Sequence, residues 1–230
     1  MAVVLSVIIP VLNKADTIVG EVENWLESGV AGEVIVADGG SIDATADLAR
    51  VAGAGVVTAP RGRGSQMAAG AKTAVGDWLL FIHADTRLEP GWQKVTERFM
   101  ADAANRFCAG HYRFALDDPS PEARRLERMV AWRCQTFGLP YGDQGLLISN
   151  EFYEHLGGFP SIPLMEDVAL VRRIAKHRLK ALPADALTSA VRYHRDGYIL
   201  RPTRNLLCLG LYFLGVRPSS LVLLYAGGRE

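Results

Sequence analysis

Asp85 ends an apolar run, Leu79-Leu80-Phe81-Ile82, with His83 two residues before it. Such a run reads as a buried strand of a parallel sheet. Ligands of open α/β sheets bind just beyond the carboxyl ends of the strands, so Asp85 stands where a site would form. A carboxylate there can hold a divalent cation, and the cation a diphosphate. It can equally cap a helix or open a turn. Asp38 repeats the pattern after the β-branched run 33–37, where an Asp-Gly turn is the plainer alternative. Arg61-Gly62-Arg63-Gly64-Ser65 is a basic glycine loop ahead of a helical stretch. Backbone amides of such a loop attract phosphate and arginines add bidentate charge, although a solvated loop has the same composition. Glu166-Asp167 opens a helix, where acids are favoured by the dipole alone. A carboxylate there can also take the proton of an attacking hydroxyl. His194 is expected at the end of a strand over 187–193, where an imidazole can ligate a metal.

The elements that must position these side chains follow from hydrophobic period. Strands are expected at 5–10, 33–37, 55–59 and 77–82. Helices are expected between them at 17–27, 44–51 and 66–74. This alternation predicts a parallel sheet with right-handed crossovers. It puts Asp38, the basic loop and Asp85 on one edge. Beyond Pro90 the spacing predicts a helix to Met100, a strand over 107–116, a turn over 117–121 and a helix with a basic face over 122–137. A polar glycine loop follows, Tyr141-Gly142-Asp143-Gln144-Gly145, then an apolar run at 146–148. Short and longer helices are expected at 151–156 and 163–177. Two apolar runs, 205–216 and 220–226, are interrupted by Arg217-Pro218. Each is shorter than the roughly 20 residues that span a bilayer. They are expected to form helices packed on the core or on a second subunit, with peripheral membrane contact as the alternative.

The chain has 230 residues, room for one α/β domain with a sizeable core. Lys and Arg number 25 and Asp and Glu 25, so no net field draws nucleic acid. Cys108, Cys134 and Cys208 lie far apart without a CxxC pair, which argues against a disulfide framework or a zinc knuckle. No signal peptide is read at the N-terminus. The expected location is the cytoplasm, with the inner membrane face as the one surface that the apolar tail could reach.

Four ordered segments together resemble a known family: Ser6-Val7-Ile8-Ile9-Pro10, Val36-Ala37-Asp38-Gly39-Gly40-Ser41-Ile42-Asp43-Ala44-Thr45, His83-Ala84-Asp85 and Met165-Glu166-Asp167. They look like a family 2 glycosyltransferase with the GT-A fold, over about residues 4–200. Residues 61–67 and 141–145 resemble one bacterial subgroup, with His-Ala-Asp in place of Asp-x-Asp. The fold implied is α/β, a Rossmann-like, mainly parallel sheet flanked by helices, with a C-terminal helical tail. The GT-A domain would cover 1–200, its nucleotide-binding half about 1–90 and its acceptor half about 91–200, and the tail 201–230.

The resemblance implies transfer of a sugar from a nucleotide-diphosphate donor, a UDP-sugar favoured, to a saccharide, lipid or small-molecule hydroxyl. It implies inversion and Mg²⁺ or Mn²⁺. Pro10 and the loop through Asn13 would line the nucleotide site, and Asp38 would bond the base. Arg61, and secondarily Arg63, would face the diphosphate. Asp85 would bind the metal, with His194 completing the site and His83 a further candidate. Asp167 would be the catalytic base with Glu166 beside it. Gln144 and Asp143 would lie near the acceptor. Imidazole suits a hard cation poorly, but Mg²⁺ often takes one or two carboxylates plus substrate phosphates.

Other classes fit less well. A sugar nucleotidyltransferase would need a glycine-rich basic loop after the first strand, and residues 11–18 contain no glycine. A dinucleotide oxidoreductase would need G-x-G-x-x-G there. An aspartyl-phosphate phosphatase would need a nucleophile where His83 stands. A non-catalytic nucleotide-sugar binder or membrane-associated scaffold stays open on sequence alone.

Overall fold

The protein is described by a computed structural model covering residues 4–226. Its strands are β1 (Leu5–Val11), β2 (Ala31–Asp38), β3 (Gly55–Thr58), β4 (Trp78–Phe81), β5 (Thr86–Leu88), β6 (Ala109–Leu116), β7 (Leu146–Ser149) and β8 (Leu179–Thr188). The helices are α1 (Ile18–Leu26), α2 (Thr45–Val51), α3 (Arg63–Thr73), α4 (Trp92–Ala101), α5 (Pro121–Phe137), α6 (Asn150–His155), α7 (Glu166–Val171), α8 (Val191–Asp196), α9 (Leu200–Phe213) and α10 (Pro218–Ala226).

The strands form one sheet in the order β3-β2-β1-β4-β7-β6-β8-β5. The first four run parallel, as their β-α alternation requires. β7 is antiparallel to β4 and to β6, whereas β8 runs parallel to β6 and antiparallel to β5. The expected α/β fold of GT-A type is observed. Chain order reverses between β1 and β4, and a crevice opens at such a switch point.

β1 shows how the sheet is buried on both faces. Val7, Ile9 and Val11 point to the layer of α1, α2 and α4, where Trp25 meets Trp92 at a ring distance of 5.0 Å. Ile8 points to the layer of α3, α6 and α7, where Phe81 packs on Phe159 at 4.9 Å. This is the period-2 alternation of a strand in a three-layer sandwich. Gly70 lets α3 lie on β1, since a Cβ there would stand 2.5 Å from Ile8 Cγ2.

Three elements differ from expectation. The last strand is at Leu179–Thr188, not 187–193, and the chain turns into α8 directly afterwards. Its inward residues are Leu182, Ala184 and Ala186, and the two alanines give a weak apolar signal. Pro183 falls where the register with β6 shifts between His111 and Arg113, a bulge that tolerates proline. The helix expected over 163–177 is reduced to six residues: Met165, with φ 66°, starts it late, and it ends at Val171. A short strand, β5, also forms before Pro90, where no element was expected.

The tail folds back. Cys208, Leu209 and Leu221 of α9 and α10 pack on Leu139, Leu164, Met165 and Val168. Among the described residues no helix is long and apolar enough to cross a membrane.

Candidate active site

Asp85 follows β4 at the switch point, and a cleft opens around it. Lining it are Arg63 at the start of α3, His83, Asp85, Gly142 and Asp143 of the glycine loop, and Asp167 of α7. Arg192 and Tyr193 of α8, Arg201 and Asn205 of α9, and Tyr225 of α10 form the far wall. Three carboxylates thus share one cleft with several guanidiniums.

Asp167 is held by backbone donors on both oxygens. Gly142 N donates to Oδ2 at 2.9 Å, and Val168 N to Oδ1 at 2.7 Å. Gly142 cannot carry a side chain, since a Cβ would lie 2.8 Å from His83 Nε2. His83, Gly142 and Asp167 therefore form a close stack. Burial, reinforced by the Arg63 charge, holds the His83 imidazole below its ordinary range, so it is neutral at neutral pH.

Glu166 turns inward rather than into the cleft. Its Oε1 lies 3.1 Å from Arg63 Nε, and its side chain is almost fully buried. Burial pushes its carboxyl upward, Asp167 adds to this, and Arg63 opposes it. Burial also works against the Arg63 charge, but Glu166, Tyr225 and Asp167 together more than restore it, so Arg63 is firmly cationic. Glu166 is the anchor that aims Arg63 into the cleft. Arg63, not Arg61, is the arginine that arrives there. Gly62 has φ 140° and turns the chain between the two. Arg61 is left exposed, with no side-chain partner among the described residues.

Asp143 has one carboxylate oxygen, Oδ1, that is covered and has no hydrogen-bond partner among the described residues. Burial pushes this carboxyl up to about 6, against the pull of Arg133. The residue itself lines the cleft.

Gln144, expected beside it, does not reach the cleft. Its amide is buried and donates to Tyr112 O at 3.0 Å, while its Oε1 accepts from Tyr141 N and Cys134 Sγ. It braces the glycine loop against β6 and α5. His194 is also elsewhere. Because β8 ends early, His194 lies on α8, with Nε2 3.2 Å from Asp118 Oδ2, and it does not line the cleft. The structure therefore does not bring His194 to Asp85 as a metal ligand.

Pro10, Asn13 and Asp38 belong to the same sheet edge but lie beside the cleft, where Val11 pairs with Asp38 across β1 and β2. Asn13 adopts φ 50°. Its Oδ1 accepts from Ile42 N at 2.9 Å, and its N donates to Ser41 Oγ at 2.8 Å. Asp38 accepts from Ser41 N at 3.1 Å. The two loops are thereby tied into one floor. Gln66 of α3 locks it from below, donating to Val11 O and Ala37 O, each at 2.8 Å. Sequence reading gave Gln66 no role. Its position four residues after Gly62, on the buried side of α3, was the available signal.

Among the described residues, no group of three or more His, Cys, Asp or Glu side chains stands ready to hold a metal. Asp85 alone, open to the cleft, fits the case in which a hard cation takes one carboxylate and completes its shell from substrate phosphates.

The sheet order and the cleft at its switch point define a GT-A type α/β protein. Residues 6–154 match the family model described as Glycosyl transferase family 2, so the chain belongs to that family and is a glycosyltransferase. Comparison with curated proteins gave no match. Among solved structures, it resembles glucosyl-3-phosphoglycerate synthase from Mycobacterium tuberculosis in complex with Mn²⁺, UDP-glucose and phosphoglyceric acid. The TM-score is 0.60 at 19% identity, covering 81% of this chain and 71% of that one. It also resembles mannosyl-3-phosphoglycerate synthase from Rubrobacter xylanophilus, with TM-score 0.57 and 19% identity, covering 81% and 67%. At these identities the likeness is one of fold.

Proposed function

We propose that this protein transfers a sugar, with inversion, from a nucleotide-diphosphate donor to an acceptor hydroxyl, and that the donor is a UDP-sugar. The observation that carries this reading is the single cleft shared by Asp85, Arg63 and Asp167. Residues 1–200 would form the transferase unit, with 1–90 binding donor and 91–200 acceptor, and the tail 201–230 closing the far wall. The floor of Pro10, Asn13 and Asp38 would take the nucleoside, and Arg61 at its rim would screen phosphate from solvent.

Asp85 would hold Mg²⁺ or Mn²⁺ through the His-Ala-Asp version of the metal motif, with His83 neutral behind it. When bound, the metal would neutralise charge on the departing diphosphate. Arg63, fixed by Glu166, faces the same charge and stabilises it without reorganising. Asp167 is the base. Its two backbone donors, one on each oxygen, leave a lone-pair direction free on either oxygen for the acceptor hydroxyl. As that oxygen attacks, it bonds to the anomeric carbon from the face opposite the leaving group. The bond from that carbon to the diphosphate breaks, and its electron pair leaves with the nucleoside diphosphate. The hydroxyl proton passes to Asp167. Asp143, with its unpartnered oxygen, would accept from a second acceptor hydroxyl. The acceptor is a saccharide, a lipid or a small molecule, and the reaction runs in the cytoplasm or on the inner membrane face.

Asp167→Asn tests the assignment. The amide keeps the shape but cannot take the proton, so transfer should fall by at least about 10²-fold. UDP affinity, measured calorimetrically with Mn²⁺ present, should stay within about twofold. Retained transfer would sink the assignment of the base.

A further inference from the structure

Asp85 already has a cation beside it. Arg192 Nη2 lies 3.3 Å from Asp85 Oδ2, and this is the one ion pair that either side chain makes among the described residues. The segment that carries Arg192 is anchored next to Asp85. Thr86 pairs with Thr188 where β5 meets β8, and their hydroxyls stand 3.3 Å apart. Ala190 is buried, and its N donates to Asp117 Oδ1 at 2.6 Å. The backbone leaving β8 thus starts at a fixed point beside the Asp85 turn and delivers Arg192 back over it.

We propose that Arg192 is a built-in substitute for the metal that changes partners during donor binding. Without ligand its guanidinium neutralises Asp85. When a metal–nucleoside diphosphate enters, the metal takes Asp85 and Arg192 passes to the diphosphate oxygens. This rests on the reading of Asp85 as the metal-binding carboxylate.

Three observations support the exchange. The pair is not sealed in: the Arg192 side chain is 55% exposed and that of Asp85 29%, so water screens it and the contact is cheap to release. Arg192 lines the same cleft as Arg63, so a second guanidinium borders the space a diphosphate would fill. A guanidinium matches phosphate with two parallel N–H donors, which a lysine ammonium cannot do. Lastly, Asp85 is the cleft's one candidate metal carboxylate with such a competitor, because Glu166 and not Asp167 pairs with Arg63. The consequence is coupling: metal and nucleotide should each bind better in the presence of the other, because each frees a partner for the second.

Arg192→Ala in the full chain separates the two halves of the exchange. Mn²⁺ alone, followed by electron paramagnetic resonance of the free ion, should bind roughly two- to fivefold more tightly, since its competitor at Asp85 is gone. UDP with saturating Mn²⁺, followed by calorimetry, should bind about tenfold more weakly, since a charged phosphate contact is lost. Arg192→Lys should restore the Mn²⁺ competition but only part of the UDP affinity. Mn²⁺ affinity unchanged or weakened in the alanine variant, or UDP affinity unchanged, overturns the proposal. Asp85→Asn is the control for the underlying reading. If it leaves Mn²⁺ binding intact, the metal site is elsewhere and both ideas fall, whereas a normal Asp85 result with a silent Arg192 result rejects the exchange alone.

Discussion

At the scale of residues, the site is a set of charges placed in unequal surroundings. Asp167 is satisfied by two backbone donors, Glu166 by Arg63, and Asp85 by Arg192. Among these carboxylates, Asp143 keeps a covered oxygen without a partner among the described residues. Its carboxyl binds its proton more tightly when folded, at about 6 against an ordinary 3.8. The sign follows from linkage: below pH 4 the group is protonated in both states and costs nothing. As pH rises through 4 to 6 the unfolded chain loses the proton first, so stability falls, and above 6 the full penalty applies. Asp143→Asn should therefore stabilise the protein by about 3 kcal/mol at pH 8 and by little at pH 4. Urea melts at the two pH values check this, and a gain that is equal at both would show that ionisation is not its cause. A carboxylate kept under such strain at a cleft wall is more readily explained by a substrate than by folding.

At the scale of elements, helix α3 does most of the positioning. Its first residue is Arg63, its fourth is Gln66, and Gly70 is the point where it touches β1. Replacing Gly70 by Ala sets two effects against each other. Helix propensity favours Ala by about 1 kcal/mol. Against it, the new Cβ would meet Ile8 Cγ2 at 2.5 Å. That methyl is on a branched, fully buried side chain in mid-strand and cannot swing away. Overpacking costs about 1–3 kcal/mol, so the net expectation is a loss of about 1 kcal/mol. The helix would be lifted near its C-terminal end and tilted, which moves Arg63 at the opposite end, and UDP affinity should fall with it. A Gly70→Ala protein that melts at or above the wild-type temperature would mean that α3 can shift without strain.

At the scale of the whole molecule, the tail is part of the site. Helices α9 and α10 cover Leu139, Leu164, Met165 and Val168, which flank the glycine loop and α7, and they send Arg201, Asn205 and Tyr225 into the cleft. Leu221 is the pin of this contact, 1% exposed on a nine-residue helix that is too short to hold its shape alone. Leu221→Ala should remove about 2–3 kcal/mol from that contact. Because the tail packs on a satellite cluster and not on the central sheet, the loss should be local. Amide exchange should open across α10 and the end of α9 while β1 and β4 stay protected. Equal loss of protection in β1 would show that tail and sheet unfold as one unit. The outer faces of the same helices carry Leu206, Leu207, Leu214 and Leu223 in the open, so the tail is only half covered by its own chain.

The sequence by itself determined the β-α alternation of the first 90 residues, the parallel sheet, and the strand ends that set Asp38 and Asp85 on one edge. These are legible because hydrophobic period is a local property of the chain. The pairing of tail and core was half legible: the apolar runs were plain, but not what they would cover. Tertiary structure alone decided that Arg63 and not Arg61 enters the cleft, that Gln144 is a buried brace, and that His194 stays with Asp118. It alone brought Arg192 to Asp85. The reason is common to all four. Which side chain of a loop turns inward depends on single backbone angles, such as those of Gly62 and Met165, and on partners more than 20 residues away. The last strand was misplaced for a related reason, since small residues and a bulged proline erase the alternation by which a strand is recognised. Period fixes where elements lie, and only their packing fixes which charges meet.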